Sequence, residues 1–458
     1  MKRILYPLLI AVFLASCSAG KKISLDEMMA GAPEWVKKTP NDPMYYHGIG
    51  SALKSAQMDF REKARQNALS DIAGNISVII SSSSVLYQFE SDNKFSDYFR
   101  DNIKLSTKNY LEGYEMVESW ENNDRYWVYY RLSKSGYERI KQEKMQAALS
   151  KSEGDYHEVE KSINIGNSAE AIYNYIKAIE KIKDFLGEDL HSDVAGKGQS
   201  FTSRLFADLT TTLQNIRIVY PTHSIELKRG QKPESENLTA TVENEKTVHL
   251  TGIPVIATFS FFPGKKDELV SDANGTVRIK TGTINSKRKS EYISTIVNFD
   301  KMVRETTSDP VVRKLLGNIK AMEFVLPVNI IPSVFYIDVD EKNMDIKITN
   351  SNTSQEIQAM LAGDGFSVAS NPSGAGYVLS IVANTAKSSE RNGKFSASLI
   401  ADFIVKDKTG HLIYNQHITD VTGLGTSYED AGTDAYSTLI SKIRISVFPA
   451  MYKQIFKD

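Results

Sequence analysis

One cysteine, Cys17, is present among the 458 residues of the chain. A single cysteine excludes internal disulfides, and it also excludes zinc sites and iron–sulfur clusters built from several thiolates. The fold therefore has to be stabilised by buried apolar surface. The composition allows this, because 41% of the residues are hydrophobic and 24% are charged. The formal net charge of −1 gives no reason to expect nucleic-acid binding, and the length predicts roughly three domains.

Cys17 follows a short apolar segment at the N-terminus. Lys2 and Arg3 precede Ile4–Ala15, which is almost entirely apolar and is interrupted by Pro7. This segment is shorter than the ~20 residues that a helix needs to cross a hydrocarbon core, so it indicates the apolar part of a signal peptide.

The end of this segment, Leu14-Ala15-Ser16-Cys17, resembles the bacterial lipoprotein signal motif. The resemblance implies cleavage before Cys17, a diacylglycerol on its thiol and an acyl chain on its new amino group, which together anchor a protein firmly. Ser18 stands where an Asp would favour the inner membrane, so the outer membrane is predicted. Lys21 and Lys22 are not an acidic export signal, which favours the periplasmic face over the cell surface. The alternatives are an ordinary secretory signal with a chance cysteine, or a buried free thiol.

Residues 33–151 have the pattern of an α+β domain. A helix is predicted from about Ser55 to Asn75, and the alanines of its apolar stripe would let it lie close to a sheet. The stripe consists of Phe60, Ala64, Ala68, Ile72 and Ile76. The pattern then predicts a strand over 76–80, a helix over about 96–111, a hairpin of residues 114–120 with 125–132, and a helix over about 133–151.

Several segments of this region resemble the LPP-twenty family of outer-membrane lipoproteins. The matching segments are Trp35-Val36, Tyr45–Ser51, the helix that contains Ala64 and Ala68, and Tyr126–Leu132. The resemblance covers about residues 33–145, and it implies an envelope lipoprotein with a structural or assembly role. It brings no catalytic residues with it.

Three further regions follow along the chain. Residues 152–215 predict a helical spacer. At Ile216 the period changes to two, and residues 216–331 predict a β-sandwich that is similar to bacterial immunoglobulin-like domains. Its strands are predicted at 216–220, 224–228, 238–242, 248–250, 255–262, 276–280, 292–299 and 323–328, with a short helix near 311–319. Residues 332–458 predict an α/β domain with a mainly antiparallel sheet, whose β–α–β–β–β–β–α order resembles small domains of periplasmic envelope lipoproteins. Residues 1–16 are then the signal peptide, and residues 17–32 are a lipidated tether.

The sequence contains no recognised catalytic motif. It has no His-Glu-x-x-His, no Gly-x-Ser-x-Gly and no phosphate-binding loop. Gly48-Ile49-Gly50 and Gly423-Leu424-Gly425 each lack the rest of a phosphate-binding fingerprint. His411 and His417 are predicted on one strand, ~20 Å apart, which is too far for one metal ion.

An acidic cluster follows the first strand predicted in the last region, Val334–Val339. A solvated turn is favoured over a cation site, because the glycine and the closing glutamate of an EF-hand loop are missing. The cluster consists of Asp338, Asp340, Glu341 and Asp345.

The predicted strand over residues 125–132 is the most aromatic segment of the chain. Alternation puts Trp127, Tyr129 and Arg131 on one face, and Trp120 is placed to stack across the hairpin. If exposed, these four residues form a platform for a glycan or a protein. The alternative is a buried cross-strand ladder covered by a neighbouring helix.

Taken together, the sequence predicts a multidomain α+β protein that is not an enzyme. We expect a lipoprotein anchored in the outer membrane through Cys17, acting as an envelope scaffold or assembly factor through protein–protein contacts. The alternative is a periplasmic regulator that binds peptidoglycan or a peptidoglycan synthase, and an enzyme acting on envelope polymers is a third class. The expected partners are the membrane, through the lipid anchor, and envelope proteins or peptidoglycan. No cofactor, metal or nucleic acid is expected.

Overall fold

The structure is a computed structural model that describes residues 31–54, 59–76, 111–195, 199–233, 238–350 and 352–457. Cys17 and the signal segment lie outside the described residues. So do most of the tether, residues 77–80 of the strand predicted over 76–80 and residues 96–110 of the helix predicted over about 96–111. The chain divides into two compact units, residues 1–153 with 181–204 and residues 154–180 with 205–458. Both units combine helices and sheets, so the predicted mixed α+β class is confirmed.

The first unit contains a three-stranded antiparallel sheet with β3 at its centre, in the order β1-β3-β2. Its elements are α1 (Glu34–Lys37), β1 (Tyr45–Leu53), α2 (Phe60–Asn75), β2 (Glu115–Glu121), β3 (Arg125–Ser133) and the start of α3 (Lys134–Asn164). The predicted hairpin is therefore present. Helix α3 runs without a break past residue 151, where the spacer was predicted to begin, and its last turns belong to the second unit.

Helix α2 lies unusually close to β1 because both elements carry small residues where they meet. Ala64, Ala68 and Ile72 are fully buried, as the predicted stripe requires. A Cβ placed on Gly50 would lie 2.0 Å from the Ala64 carbonyl oxygen, and one on Gly48 would lie 2.2 Å from the Ala68 carbonyl oxygen. The Gly-x-Gly of β1 is thus a packing device that leaves room for the helix.

The predicted helical region consists of the end of α3, α4 (Ser168–Lys181) and α5 (Phe201–Gln214), with short 3-10 turns between α4 and α5. One face of α4 is fully buried, including Ile172, Ile176 and Ile179. These isoleucines are three or four residues apart, as one buried face of a helix requires.

The β-rich part of the second unit contains a five-stranded sheet, β5-β11-β10-β7-β8, and a three-stranded sheet, β4-β6-β9. The strands are β4 (Arg217–Val219), β5 (Ile225–Lys228), β6 (Thr239–Glu243), β7 (Pro254–Phe259), β8 (Lys266–Val270), β9 (Thr276–Arg278), β10 (Ser290–Val297) and β11 (Glu323–Ile331). Strand β5 pairs with β11 in parallel, and the other neighbours pair antiparallel. The immunoglobulin-like arrangement stays a prediction.

Three elements of this region differ from the sequence prediction. Strand β8 was not predicted, because it is a largely exposed edge strand with the charged start Lys266-Asp267-Glu268. A strand was predicted to extend to Phe299, but the Asn298 side chain accepts a hydrogen bond from the Lys301 amide and begins helix α6 (Phe299–Thr306). The strand predicted at 248–250 is reduced to one bridge between Glu243 and His249. Helix α7 (Pro310–Leu316) is present as predicted.

The C-terminal domain contains the predicted β–α–β–β–β–β–α series, with two additional elements: a short strand, β13 (Ile346–Lys347), before the first helix and a second helix, α10 (Phe448–Ile455), at the end. The other elements are β12 (Val334–Asn343), α8 (Asn352–Gly363), β14 (Ser367–Ala369), β15 (Tyr377–Arg391), β16 (Lys394–Asp407), β17 (Leu412–Gly425) and α9 (Tyr428–Lys442), with a π-helical turn before α10. The sheet order is β13-β12-β15-β16-β17, and β14 also pairs with β12. Strand β12 is parallel to β14 and β15, and the remaining pairs are antiparallel.

Helix α9 meets β17 in the same way as α2 meets β1. A Cβ on Gly423 would lie 2.2 Å from the Ala431 carbonyl oxygen and 2.2 Å from the Ala435 amide nitrogen. A Cβ on Gly425 would lie 2.4 Å from the Ala431 amide nitrogen. The Gly-x-Gly segments of β1 and β17 therefore both allow close contact between a strand and a helix.

A buried arginine joins the β-rich region to the C-terminal domain. Arg229, 4% exposed, lies against the rings of Phe366 and Phe456, with its guanidinium carbon 4.4 and 4.8 Å from the ring centroids. Its Nε donates to the Asn285 carbonyl at 3.2 Å, and its Nη1 donates to the Asp364 carbonyl. This arrangement satisfies the buried charge and links the two regions within the second unit.

The Asp364 carboxylate stabilises the same junction. It accepts hydrogen bonds from Lys287 Nζ at 2.5 Å and from the Tyr452 hydroxyl at 2.8 Å. Burial alone would raise the pKa of Asp364, but these hydrogen bonds and the positive charges of Lys287 and Arg229 outweigh burial and hold its pKa below the usual range. The carboxylate is therefore charged at neutral pH.

Candidate functional site

The aromatic strand β3 places its side chains on the two faces that its alternation predicts. Val128 and Leu132 are buried in the clusters beneath α2. Trp127 and Tyr129, on the other face, are 8% and 7% exposed, because Trp35 of α1 covers them. The ring centroids of Trp35 and Tyr129 are 5.7 Å apart in a stacked arrangement. Most of the area of these two predicted platform residues is therefore inside the domain.

Trp120 and Arg131 are the members of the aromatic group that retain accessible surface. Trp120 is the direct cross-strand partner of Trp127, and their rings meet with centroids 4.9 Å apart, but the ring planes are tilted by 42° and are not stacked. The side chain of Arg131 is 38% exposed, and its guanidinium lies 4.5 Å from the Tyr45 ring centroid and pairs with Glu115 at 3.0 Å.

A shallow groove of about 550 Å³ adjoins Trp120, with Arg61 and Tyr126 among its lining residues. Strand β2 is at an edge of the described sheet, and its Met116 and Val117 side chains are 57% and 44% exposed. The surface formed by Trp120, Arg131 and β2 thus combines exposed apolar groups with both signs of charge, which suits a protein contact.

A deeper cleft of about 600 Å³ lies in the C-terminal domain. It is bounded by the β12–β13 hairpin, by the first turn of α8 and by α9 from Tyr428 to Ile440. The volume is in the range of small-molecule sites in proteins. Its wall is partly apolar, through Met344, Ile346, Ile348 and Ile440, and Ile346 is 74% exposed.

Glu341 is an acidic side chain buried in the wall of this cleft. It is 2% exposed, and its Oε1 has no hydrogen-bond partner. On β12 it has the same parity as Phe335, Ile337 and Val339, which pack into the core of the domain. The prediction of a solvated turn at this point was therefore wrong. Strand β12 continues to Asn343, because it pairs with β15 over its whole length, and alternation turns Glu341 inward.

The donor groups near Glu341 interact with other residues. Burial raises the pKa of the Tyr436 hydroxyl, and the charge of Glu341 raises it further, so this hydroxyl stays protonated. It donates to the carbonyls of Lys342 and Ala383, at 2.9 and 3.1 Å. Lys347 pairs with Asp340 at 3.6 Å, and Lys387 lies 5.1 Å from the Tyr428 ring centroid. None of the described residues donates a hydrogen bond to Glu341 Oε1.

The hairpin that bounds the cleft is held by side-chain hydrogen bonds. Thr385 Oγ1 donates to Asn343 Oδ1 at 2.6 Å and accepts from the Met344 amide at 3.0 Å. Asn343 Nδ2 donates to the Glu429 carbonyl at 3.1 Å, across to α9. Met344 and Asp345 both have positive φ, as a tight hairpin turn requires. The cleft is therefore preformed.

The acids and histidines do not converge on a metal site. Among the described residues, no group of three or more His, Cys, Asp or Glu side chains is placed to hold a metal ion. Asp338 and Asp340 occupy the opposite parity of β12 from Glu341. His411 precedes β17, so the prediction that it shares a strand with His417 was wrong; His417 pairs with Asp402 at 2.7 Å.

Comparison with known proteins agrees with the resemblance found in the N-terminal region. Residues 33–132 match the LPP20 lipoprotein family. The match spans α1 through β3, so it contains the Gly-x-Gly strand, helix α2 and the aromatic hairpin. No curated protein matches the chain.

Solved structures of small lipoproteins also match. A minor lipoprotein from Acinetobacter baumannii is 12% identical, with 27% of this chain and 89% of that chain covered and a TM-score of 0.17. Lipoprotein GNA1162 from Neisseria meningitidis is 14% identical, with 25% and 100% covered and a TM-score of 0.17. In the part of the chain that the structure describes, no helix is both long enough and apolar enough to cross a membrane.

Proposed function

We propose that the chain is a lipid-anchored protein of the outer membrane that acts as a scaffold or assembly factor in the periplasm, without catalysing a reaction. The observation that carries the proposal is the LPP20 match over residues 33–132, which follows the segment ending in Leu14-Ala15-Ser16-Cys17 after the intervening residues 18–32. An anchor confines the domains to two dimensions and raises their effective concentration near partners.

The anchoring part of the proposal is tested by the variant Cys17→Ala. Without the thiol there is no site for the diacylglycerol, so the variant is expected to lose incorporation of labelled fatty acid and to leave the detergent phase on partition. Ser18→Ala, one residue further on, keeps the thiol and is the matched control. Full membrane association of Cys17→Ala in detergent partition would contradict lipid anchoring.

The contact part of the proposal assigns Trp120 and Arg131, with the exposed face of β2, as the accessible partner surface. Photo-crosslinking from position 120 in living cells is expected to give one defined envelope-protein adduct, and Arg131→Ala is expected to weaken it. Crosslinking from the buried position 127 is the control. Equal or absent adducts at the two positions would count against this surface.

The middle region fits the scaffold role as a rigid element. We infer that residues 216–331 form the immunoglobulin-like sandwich expected from the sequence. Support comes from the two sheets and from the apolar cluster that contains Ala257, Ile293 and Val328, which are at most 1% exposed.

A second candidate function is regulation by binding peptidoglycan or a peptidoglycan synthase. The preformed cleft of the C-terminal domain favours it, because a pure spacer has no use for a cavity of about 600 Å³. Co-sedimentation of the soluble chain with purified cell wall tests the glycan arm, and affinity capture with purified synthases tests the protein arm. Absence of binding in both would exclude this candidate.

A further inference from the structure

We propose that the cleft of the C-terminal domain binds a primary ammonium group carried on an apolar stem, with the Glu341 carboxylate as its anion. This site is separate from the surface assigned to protein contacts, and the proposal does not depend on lipid anchoring or on the scaffold role.

First, Glu341 is buried with one carboxylate oxygen unpartnered, and this state is unfavourable in free energy. A carboxylate that is 2% exposed needs hydrogen bonds or a counter-charge, because burial removes its water. Oε1 has no partner, although it lies in the wall of a preformed cleft. The missing partner is therefore a donor that enters the cleft.

The second step concerns the charge of that donor. The Tyr436 hydroxyl donates to two backbone carbonyls, and the ammonium groups of Lys347 and Lys387 lie against Asp340 and the Tyr428 ring. Glu429, Lys347 and Lys387 also line the cleft, so together with Glu341 its lining carries two carboxylates and two ammonium groups. The preference for a cation therefore comes from Glu341, which is buried with Oε1 unpartnered: a cationic donor satisfies it, whereas an anion would place a second negative charge beside it.

The third step excludes a bare metal ion as the preferred occupant. Calcium takes six to eight oxygen ligands and magnesium demands an octahedral set. The carboxylates of the described residues do not form a group able to hold a metal. A single buried carboxylate matches the one charge of an ammonium group, which forms three hydrogen bonds as a donor.

The fourth step concerns the stem. Met344, Ile346, Ile348 and Ile440 line the same cleft, and Ile346 is 74% exposed at its edge. Contact with a chain of methylene groups would remove this surface from water. A lysine-like side chain or a free alkylamine has both parts, the charged head and the apolar stem.

The experiment uses the soluble chain from Ser18 onward and calorimetric titration with hexylamine. Its uncharged analogue 1-hexanol has the same stem. Because a hydrogen bond to a charged group is worth more than one between neutral groups, hexylamine is expected to bind about tenfold or more tightly than 1-hexanol. This comparison needs no variant, so it stands whether or not a substitution at Glu341 folds.

Two variants test which carboxylate of the cleft binds the ammonium group. Glu341→Gln preserves shape and removes the charge, and it is expected to weaken hexylamine binding by about tenfold or more. Glu429→Gln removes the same charge from the exposed rim, where solvent screens it, and it is expected to change binding by less than about threefold. Nα-acetyl-lysine amide, which has a free side-chain ammonium group, and its Nε-acetylated form, which does not, repeat the comparison of charged and uncharged ligands for a peptide source of the same group.

Equal binding of hexylamine and 1-hexanol would overturn the proposal, as would an unchanged affinity in Glu341→Gln. Binding of Ca²⁺ that excludes hexylamine would also overturn it, since the site would then be a cation site of another kind. Fractionation of the lipidated chain does not depend on this site, so its outcome separates failure of this proposal from failure of the anchoring proposal.

Discussion

The contact between Gly50 and helix α2 gives the sharpest test of the fold. In the variant Gly50→Ala the new Cβ would lie 2.0 Å from the Ala64 carbonyl oxygen and 2.3 Å from the Ala68 amide nitrogen. Cβ contacts shorter than 3.0 Å essentially do not occur, so the helix must retreat from the strand by about 1 Å. Both clashing atoms belong to the backbone, and a side-chain rotation cannot relieve them.

The expected loss of stability follows from the contacts that are weakened when the helix moves away from the strand. Ala64, Ala68 and Ile72 are 0% exposed, and a gap of about 1 Å removes up to about half of the dispersion energy at each contact. Overpacking of a core costs about 1–3 kcal/mol, and we expect Gly50→Ala to reach the upper end, about 3 kcal/mol. That is a large part of the stability of a domain of this size.

The same substitution at Gly74 is the matched control. Gly74 is in the same helix, is exposed, and has nothing within 4 Å of a new Cβ. Because alanine is the better helix former, Gly74→Ala is expected to stabilise the domain by about 0.5–1 kcal/mol. The same change from glycine to alanine is thus expected to lower the free energy of unfolding at position 50 and to raise it at position 74.

The assay follows from the positions of the tryptophans. All three tryptophans of the chain, Trp35, Trp120 and Trp127, are in this domain, so tryptophan fluorescence of the whole soluble chain monitors its unfolding alone. With a urea dependence of about 1–3 kcal/mol per molar, the midpoint of Gly50→Ala should fall by about 1 M or more. A midpoint at or above that of the wild type, or one equal to that of Gly74→Ala, would refute the reasoning.

Two further predictions concern the junction around Arg229. Arg229→Lys keeps the charge but loses the guanidinium contact with Phe366 and Phe456, so the calorimetric transition of the second unit should lose about 1–3 kcal/mol of stability. An unchanged transition would contradict a stabilising role of this contact. Asp364 has a lowered pKa, so its stabilisation is complete above the ordinary aspartate pKa of about 4 and is lost as the pH falls through the lower value of the folded state. The stability advantage of wild type over Asp364→Asn should therefore shrink between about pH 5 and pH 2, and an advantage independent of pH would argue against the ion pair with Lys287.

The sequence predicted α2 well because its signal is local. Alanines four residues apart indicate a helix that packs closely, and Ala64 and Ala68 do so. The complementary glycines could not be interpreted in the same way, because Gly-x-Gly serves turns, phosphate sites and close packing alike. Only the pairing of β1 with β3 decides that Gly48 and Gly50 lie beneath the helix.

Glu341 shows which signal was available and missed. Phe335, Ile337 and Val339 alternate, and extending that alternation by one more step places Glu341 on the buried face. The charge density of the segment suggested a turn instead. What no local pattern contains is the partner strand β15, whose pairing as far as Asn343 keeps the acidic segment extended.

The contacts of helix α9 explain where the cleft of the C-terminal domain opens. Beneath α9, Gly423 and Gly425 leave no space between strand and helix for an additional atom, so the sheet is sealed along β17. Further across the sheet, toward β12, the same helix faces the β12–β13 hairpin through Tyr436 and Ser437, which are among the lining residues of the cleft. A Cβ on Gly432 would meet Asn343 Oδ1 at 1.9 Å, so the hairpin is pressed against α9 at one point, and the cleft opens beside it. The packing that closes one edge of the sheet thus leaves the space in which Glu341 is unpaired.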